Sequence, residues 1–320
     1  MTIPDGYKLV LDASYYQQAF DFDKLKPWVS GFIFRSLFGI WKDPKFREHT
    51  ARALDAGYDN LATYAWMRPD ESIKLQLERL AEQLYGTPVD VVAVDVEQHG
   101  RTYVNLPPFY SPERLSDLTW QYVSGLTTMG FQPVIYSRTT WIDAHAKPLW
   151  NWMFRYPVWM ASYPFANGRI ALTWKNLIER YAPKTFAPYM PKNWDFGKGK
   201  ASVWQWSGDK FLLPGIYKNE AKTAGIAVDL NYVSDTFADM MKIGSFVPPL
   251  PEPEHETWLC LAPLGMKVRQ TPYASGVDTT IRIRFNEQFK VFWKVQSDGY
   301  LWGKLGEERW TALSWSKKIK

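Results

Sequence analysis

Short apolar runs rich in β-branched and aromatic residues recur along most of the chain, and the first of them alternate with helix-like patterns. Eight runs read as buried strands: residues 8–14, 31–39, 60–66, 89–97, 132–137, 157–163, 201–207 and 226–233. The first five are each followed by a segment with helical spacing. Residues 44–56 stop at Gly57. Residues 72–85 carry Ile73, Leu77, Leu80 and Leu84 on one stripe and stop at Gly86. Residues 111–129 open with a Ser111 cap and Pro112 in the first turn, carry Leu115, Leu118, Tyr122, Leu126 and Met129, and stop at Gly130. Residues 164–200 are different, being rich in Pro, Gly and aromatics and only partly helical, and the last strands follow with little helix between them. The expected fold is therefore α/β, an irregular TIM-like (β/α) barrel over residues 1–245, with β/α repeats first and extra strands last.

Pro248, Pro249, Pro251 and Pro253 predict a stiff linker over 246–255. Beyond it, residues 256–320 show short alternating runs at 266–269, 280–284, 289–295 and 300–305, the pattern of a small all-β barrel.

In a β/α barrel the active site lies at the carboxyl ends of the strands. Here those ends carry Asp12, Arg35, Tyr64, Asp95 with Glu97, Tyr136, Tyr163, Gln205 and Asp229. Asp95 and Glu97 follow an apolar run, Val91-Val92-Ala93-Val94, and are separated by one valine. Residues i and i+2 of a strand share a face about 7 Å apart. Two like charges there have no packing use, and each makes the other harder to ionise. A protonated acid beside an ionised carboxylate is the equipment for cleaving a glycosidic bond.

Composition narrows the picture. The chain has 320 residues, 46% of them hydrophobic and 22% charged, which suits a folded protein with an ample core. Cys260 is the one cysteine, and His49, His99, His145 and His255 are widely spaced, so neither a metal site nor a cofactor is expected. The net charge of +5 favours an anionic partner, but the basic residues are dispersed apart from the tail, which argues against nucleic acid. No apolar run reaches the ~20 residues of a membrane span, so membrane insertion is not expected. The N-terminal residues show no signal peptide pattern. The 17 tryptophans mostly fill core, with some expected to line a cleft where flat rings stack on sugars.

Five ordered pieces resemble the glycoside hydrolase family 25 muramidases, the Chalaropsis-type lysozymes common in phage endolysins and bacterial autolysins. They are Leu11-Asp12-Ala13-Ser14 with Gln17 or Gln18, Asp95-Val96-Glu97, Trp159-Met160-Ala161-Ser162-Tyr163, Trp204-Gln205-Trp206-Ser207 and Val228-Asp229-Leu230-Asn231. The resemblance implies cleavage of the β-1,4 bond between N-acetylmuramic acid and N-acetylglucosamine in bacterial peptidoglycan. It implies Glu97 as general acid, Asp95 as an ionised orienting group, and Asp12 and Asp229 as neighbours across the closed barrel, with Asp229 supporting the N-acetyl group. Tyr64, Trp66, Trp159, Tyr163 and Trp204 are the expected sugar contacts. Gln205 would orient a carboxylate, and Arg35 would pair with an inner carboxylate or bind substrate. Lys267-Val268-Arg269-Gln270-Thr271-Pro272 and Tyr300-Leu301-Trp302-Gly303-Lys304-Leu305 resemble signatures of bacterial SH3-type wall-binding domains. The resemblance implies a monomer that reaches the wall after phage-type release or outside the cell. Two competing readings are a non-catalytic wall-binding protein on the same scaffold and a glycosidase for another amino-sugar polymer such as chitin. The first predicts loss of an inner carboxylate, and all four are present.

Overall fold

The computed structural model describes residues 3–101, 105–166, 168–190, 201–243, 256–270, 274, 277–291, 293–297, 299–306 and 309–319. The chain divides into two compact units, Met1–Pro248 and Pro249–Lys320. The proline-rich stretch 246–255 lies outside the described residues.

Eight strands of the first unit close into a barrel: β1 (Tyr7–Ala13), β2 (Gly31–Phe38), β3 (Leu61–Trp66), β4 (Val91–Asp95), β5 (Gln132–Arg138), β6 (Val158–Ala161), β7 (Ala201–Tyr217) and β8 (Gly225–Ser234). Neighbours from β1 to β7 run parallel, and β8 is antiparallel to both β7 and β1. The physical reason lies in the connections. Parallel neighbours need a crossover, and helices such as Phe46–Asp55, Ile73–Leu84 and Pro112–Thr128 supply it. Residues 218–224 are only a turn, closed by the Lys218 N–H donating to the Ala224 carbonyl, so the chain must fold straight back. β7 runs well past its expected end at residue 207, because it bends through bulges and continues pairing with β8 to Tyr217.

Helix starts follow the sequence signals. The Ser72 and Ser111 hydroxyls accept from the Leu75 and Arg114 amides, each cap stabilising by about 1 kcal/mol. Gly130, at φ +84°, ends the third of these helices in the left-handed region.

Side chains alternate across the barrel wall. Outward residues such as Leu9, Leu11, Phe32, Phe34, Val92, Val94, Trp204 and Trp206 pack into one large apolar cluster under the helices. Inward residues Val10, Ile33, Ala62, Val91, Ala93, Val134, Trp159 and Val203 form a smaller plug that fills the barrel floor. Among the described residues no helix is long and apolar enough to cross a membrane.

In the second unit, strands Gln288–Val291, Glu256–Cys260 and Ser316–Lys318 form one sheet, and Asp278–Ile283, Met266–Arg269, Arg309–Ala312, Tyr300–Gly306 and Trp293–Ser297 form another. They enclose a core of Cys260, Val268, Ile283, Phe289, Val291 and Leu313. Thr271 and Pro272 lie outside the described residues.

Candidate active site

The inward parity that builds the plug continues to the mouth. Two residues beyond Val10, Ile33, Ala62, Ala93, Val134 and Val203 stand Asp12, Arg35, Tyr64, Asp95, Tyr136 and Gln205. The expectation that Asp229 stands at the carboxyl end of its strand is corrected: β8 is antiparallel, so its early residues lie at this rim, and the register places Asp229 directly across from Asp12. Four carboxylates thus meet in one place, and electrostatic coupling links Asp12, Asp95 and Asp229 to Glu97.

Gln205 ties the network together. Its Nε2 donates to Asp12 Oδ2 and to Asp229 Oδ2, both at 3.0 Å. Its Oε1 accepts from the hydroxyls of Tyr136 at 2.8 Å and Tyr163 at 2.6 Å. Asn231, two residues beyond Asp229, donates from Nδ2 to Asp12 Oδ2 at 2.7 Å and is itself held by the Trp159 indole N–H at 2.8 Å. Gly208 lets Tyr163 sit where it does: a Cβ there would come within 2.7 Å of the Tyr163 hydroxyl. Asp209 adopts φ +49° at the bulge, a conformation Asp tolerates, and its N–H donates to Asp229 Oδ1 at 2.6 Å.

The four carboxylates fall into two pairs. Asp12 and Asp95 are buried, whereas Asp229 and Glu97 are half-buried and reach the opening. Burial is the main cause that pushes Asp12 up to about 7, against the hydrogen bonds from Asn231 and Gln205. Burial likewise raises Asp229 well above the usual carboxylate range, with the neighbouring Asp12 adding to it. Asp95 is raised well above that range by burial and then by Glu97 and Asp12, and its Oδ1 has no hydrogen-bond partner in the protein. This burial, beside Glu97 and Asp12, works against the ionised form expected of Asp95. Glu97 is raised by burial, opposed by Arg138 and Tyr136. Arg138 donates from Nε to Glu97 Oε1 at 3.1 Å and lies 5.0 Å over the Tyr163 ring.

The expected sugar contacts separate by exposure. Tyr64, Trp66 and Tyr163 are half-buried at the rim. The Trp66 indole donates to Gln98 Oε1 at 3.2 Å, and its ring faces Phe38 at 5.5 Å. Trp159 is buried in the plug beneath Tyr136, with ring centroids 4.5 Å apart, so it offers no open face. Trp204 is out of phase with the inward residues. It lies in the outer layer, 4% exposed, against Phe186 and Tyr232, and it donates to the Ser162 carbonyl. Neither of these two indoles is presented to the mouth. Arg35 is spoken for as well: its Nε donates to Asp43 Oδ2 at 2.9 Å in a buried ion pair.

Two residues of the site, Arg138 and Asn231, are absent from the expected contacts. Arg138 and Asn231 follow Tyr136 and Asp229 by two positions, so the parity that found the others would have found them. Tyr16, 58% exposed and stacked on Tyr15, is linked to the rim only through Arg35 and lies in a loop where no periodicity applies. Beside Tyr163 a cavity of about 360 Å³ opens, lined by Phe165, Arg169, Ser207, Gly208 and Asp209 among others. No cluster of His, Cys, Asp and Glu able to hold a metal occurs among the described residues.

The family model described as glycosyl hydrolases family 25 matches residues 11–215. Among solved structures, the catalytic domain of endolysin ply40 from bacteriophage P40 of Listeria monocytogenes is similar at 15% identity and TM-score 0.52, over 75% of this chain and 97% of that one. The CTP1L endolysin is similar at 18% identity and TM-score 0.51, over 73% of this chain and 69% of that one. The muramidase from Acremonium alcalophilum is similar at 17% identity and TM-score 0.51, over 73% and 98%. At such identities the likeness shows the fold. No curated protein matches the chain in sequence.

Proposed function

This chain belongs to glycosyl hydrolases family 25 and is a glycoside hydrolase, and from that premise we propose that it hydrolyses bacterial peptidoglycan as an N-acetylmuramidase. The bond cut is the β-1,4 link from N-acetylmuramic acid to N-acetylglucosamine. The muramidase and endolysins of like fold support this substrate.

The observation that carries the mechanism is the division into a front and a back pair of carboxylates. Glu97 and Asp229 are the more exposed of the four, and they are the pair taken to meet the sugar, while Asp12 and Asp95 are buried. Glu97 is the general acid: it gives its proton to the bridging oxygen as the C–O bond to the muramyl anomeric carbon breaks. Asp229 accepts the N–H of the muramyl 2-acetamido group. That contact turns the acetamido oxygen toward the anomeric carbon, where it closes a cyclic oxazolinium ion. Water, deprotonated by Glu97 in its carboxylate form, then opens the ring and restores the acid with retained configuration. Burial of Asp12 and Asp95 favours their neutral forms and so limits the net charge gathered at the mouth. Gln205 fixes Asp229 in place. Tyr64, Trp66 and Tyr163 provide rings and hydroxyls for the sugars.

Residues 256–320 are proposed as a wall-binding module. Trp315 and Tyr300, both exposed, flank a groove of about 290 Å³ that also includes Trp302 and Lys267. Deleting residues 248–320 is expected to leave hydrolysis of soluble glycan fragments intact and to weaken retention on insoluble walls.

Mass analysis of digested peptidoglycan tests the reading. Fragments ending in a reducing N-acetylmuramic acid support it. Fragments ending in reducing N-acetylglucosamine, or freed stem peptides, refute it.

A further inference from the structure

A general acid must hold a proton when the bond breaks, yet Glu97 has a guanidinium at hydrogen-bond distance, which favours the ionised form. The contact is built to open. Glu97 itself is held by one hydrogen bond through Nε, with Tyr136 a further partner of Arg138, and the Arg138 side chain is 46% exposed where that of Glu97 is 14% exposed. Arg138 is the last residue of β5, and its guanidinium carbon lies 5.0 Å from the centre of the Tyr163 ring, a second partner available to the cation when it leaves Glu97. Half-exposed, single-contact ion pairs are weak, whereas a carboxylate that meets both terminal nitrogens of an arginine binds it well.

We propose that Arg138 is a substrate-gated counter-ion: it neutralises Glu97 in the empty site and leaves it for a carboxylate carried by the bound glycan. This rests on the muramidase reading. The ligand chemistry is a carboxylate near the muramyl ring, either the lactyl group of peptide-free N-acetylmuramic acid or an acidic group of the stem peptide. Once the guanidinium has moved, Glu97 faces Asp12, Asp95 and Asp229 with Tyr136 and Tyr163 beside it, and no cation opposes its taking a proton from water. Arg138 is thus a positioning and specificity residue: an uncharged amino-sugar polymer fills the mouth without arming the acid.

The test compares wild type, Arg138→Met and Arg138→Lys on three substrates: intact peptidoglycan, peptide-stripped glycan, and stripped glycan with its carboxylates methyl-esterified. For wild type on the first two, the basic limb of kcat should lie about one pH unit or more above that of kcat/KM, because kcat reports the complex and kcat/KM the free enzyme. In Arg138→Met the kcat/KM limb should rise to meet the kcat limb, since the cation that held the free acid ionised is gone. The same variant should lose about tenfold or more in kcat/KM on the carboxylate-bearing glycan, and on the ester it should gain activity above the wild-type basic limb, because its acid is no longer held ionised. Arg138→Lys should keep the wild-type order of the limbs. Loss on stripped glycan assigns the lactyl carboxylate, and loss confined to intact peptidoglycan assigns the stem peptide. Coincident limbs in wild type, or equal losses on ester and free acid, overturn the role of Arg138 alone. No muramic acid reducing ends from wild type on any substrate overturns the muramidase reading itself.

Discussion

Strand β7 carries two kinds of residue one position apart. Trp204 and Trp206 point outward into a layer of apolar side chains, whereas Val203 and Gln205 point inward, to the barrel plug and the carboxylates above it. The outer layer is where burial stabilises: each large side chain there leaves water and packs chiefly against apolar neighbours. The inner mouth is where burial costs stability, because it holds four acidic groups that water would solvate better. The contrast teaches that one wall separates the source of stability from the seat of the chemistry, and that parity along the strand decides which a residue serves.

Substitutions on the two faces of the wall should separate activity from stability. Glu97→Gln should cost activity by at least about 100-fold while the melting temperature stays the same or rises, since it removes a proton donor and a buried acidic group but no packing. Reducing-end release and thermal unfolding measure the two effects. A similar loss of melting temperature would place Glu97 with the structural residues. Trp204→Ala should do the reverse, lowering stability by about 3–5 kcal/mol while the folded fraction turns over normally, as read by urea unfolding with activity assayed in parallel.

Proton linkage gives a smaller effect of known sign. Asp12 is raised from 3.8 to about 7 in the folded protein. The folded state therefore binds more protons than the unfolded chain in that range. The stability this supplies is full below about pH 4 and is lost as pH rises through about 7, a few kcal/mol in all. Asp95 and Asp229, raised by the same burial, act in the same direction. Urea unfolding should show a less stable barrel at pH 8 than at pH 5, and Asp12→Asn should flatten that slope. The smallest expected change is Ser111→Ala, which removes a helix cap on the outer layer. It should cost about 1 kcal/mol by urea unfolding and leave activity untouched.

The sequence alone determined the barrel, the order of its strands and the convergence of Asp12, Asp95, Glu97 and Asp229, because apolar periodicity and chain order are local properties that a closed sheet can satisfy in few ways. It determined the helix caps at Ser72 and Ser111 for the same reason. Only the tertiary structure decided which groups stand in front. Trp159 and Trp204 are chemically fit to stack on sugars, yet one is sealed in the plug and the other turned outward. Asp95 and Glu97 are two residues apart and look alike in sequence, yet one is buried without a partner and the other is held by Arg138, forty-one positions away. Exposure and charge pairing depend on what distant strands bring alongside, and the free energy of a buried proton is set by those neighbours rather than by the residue itself.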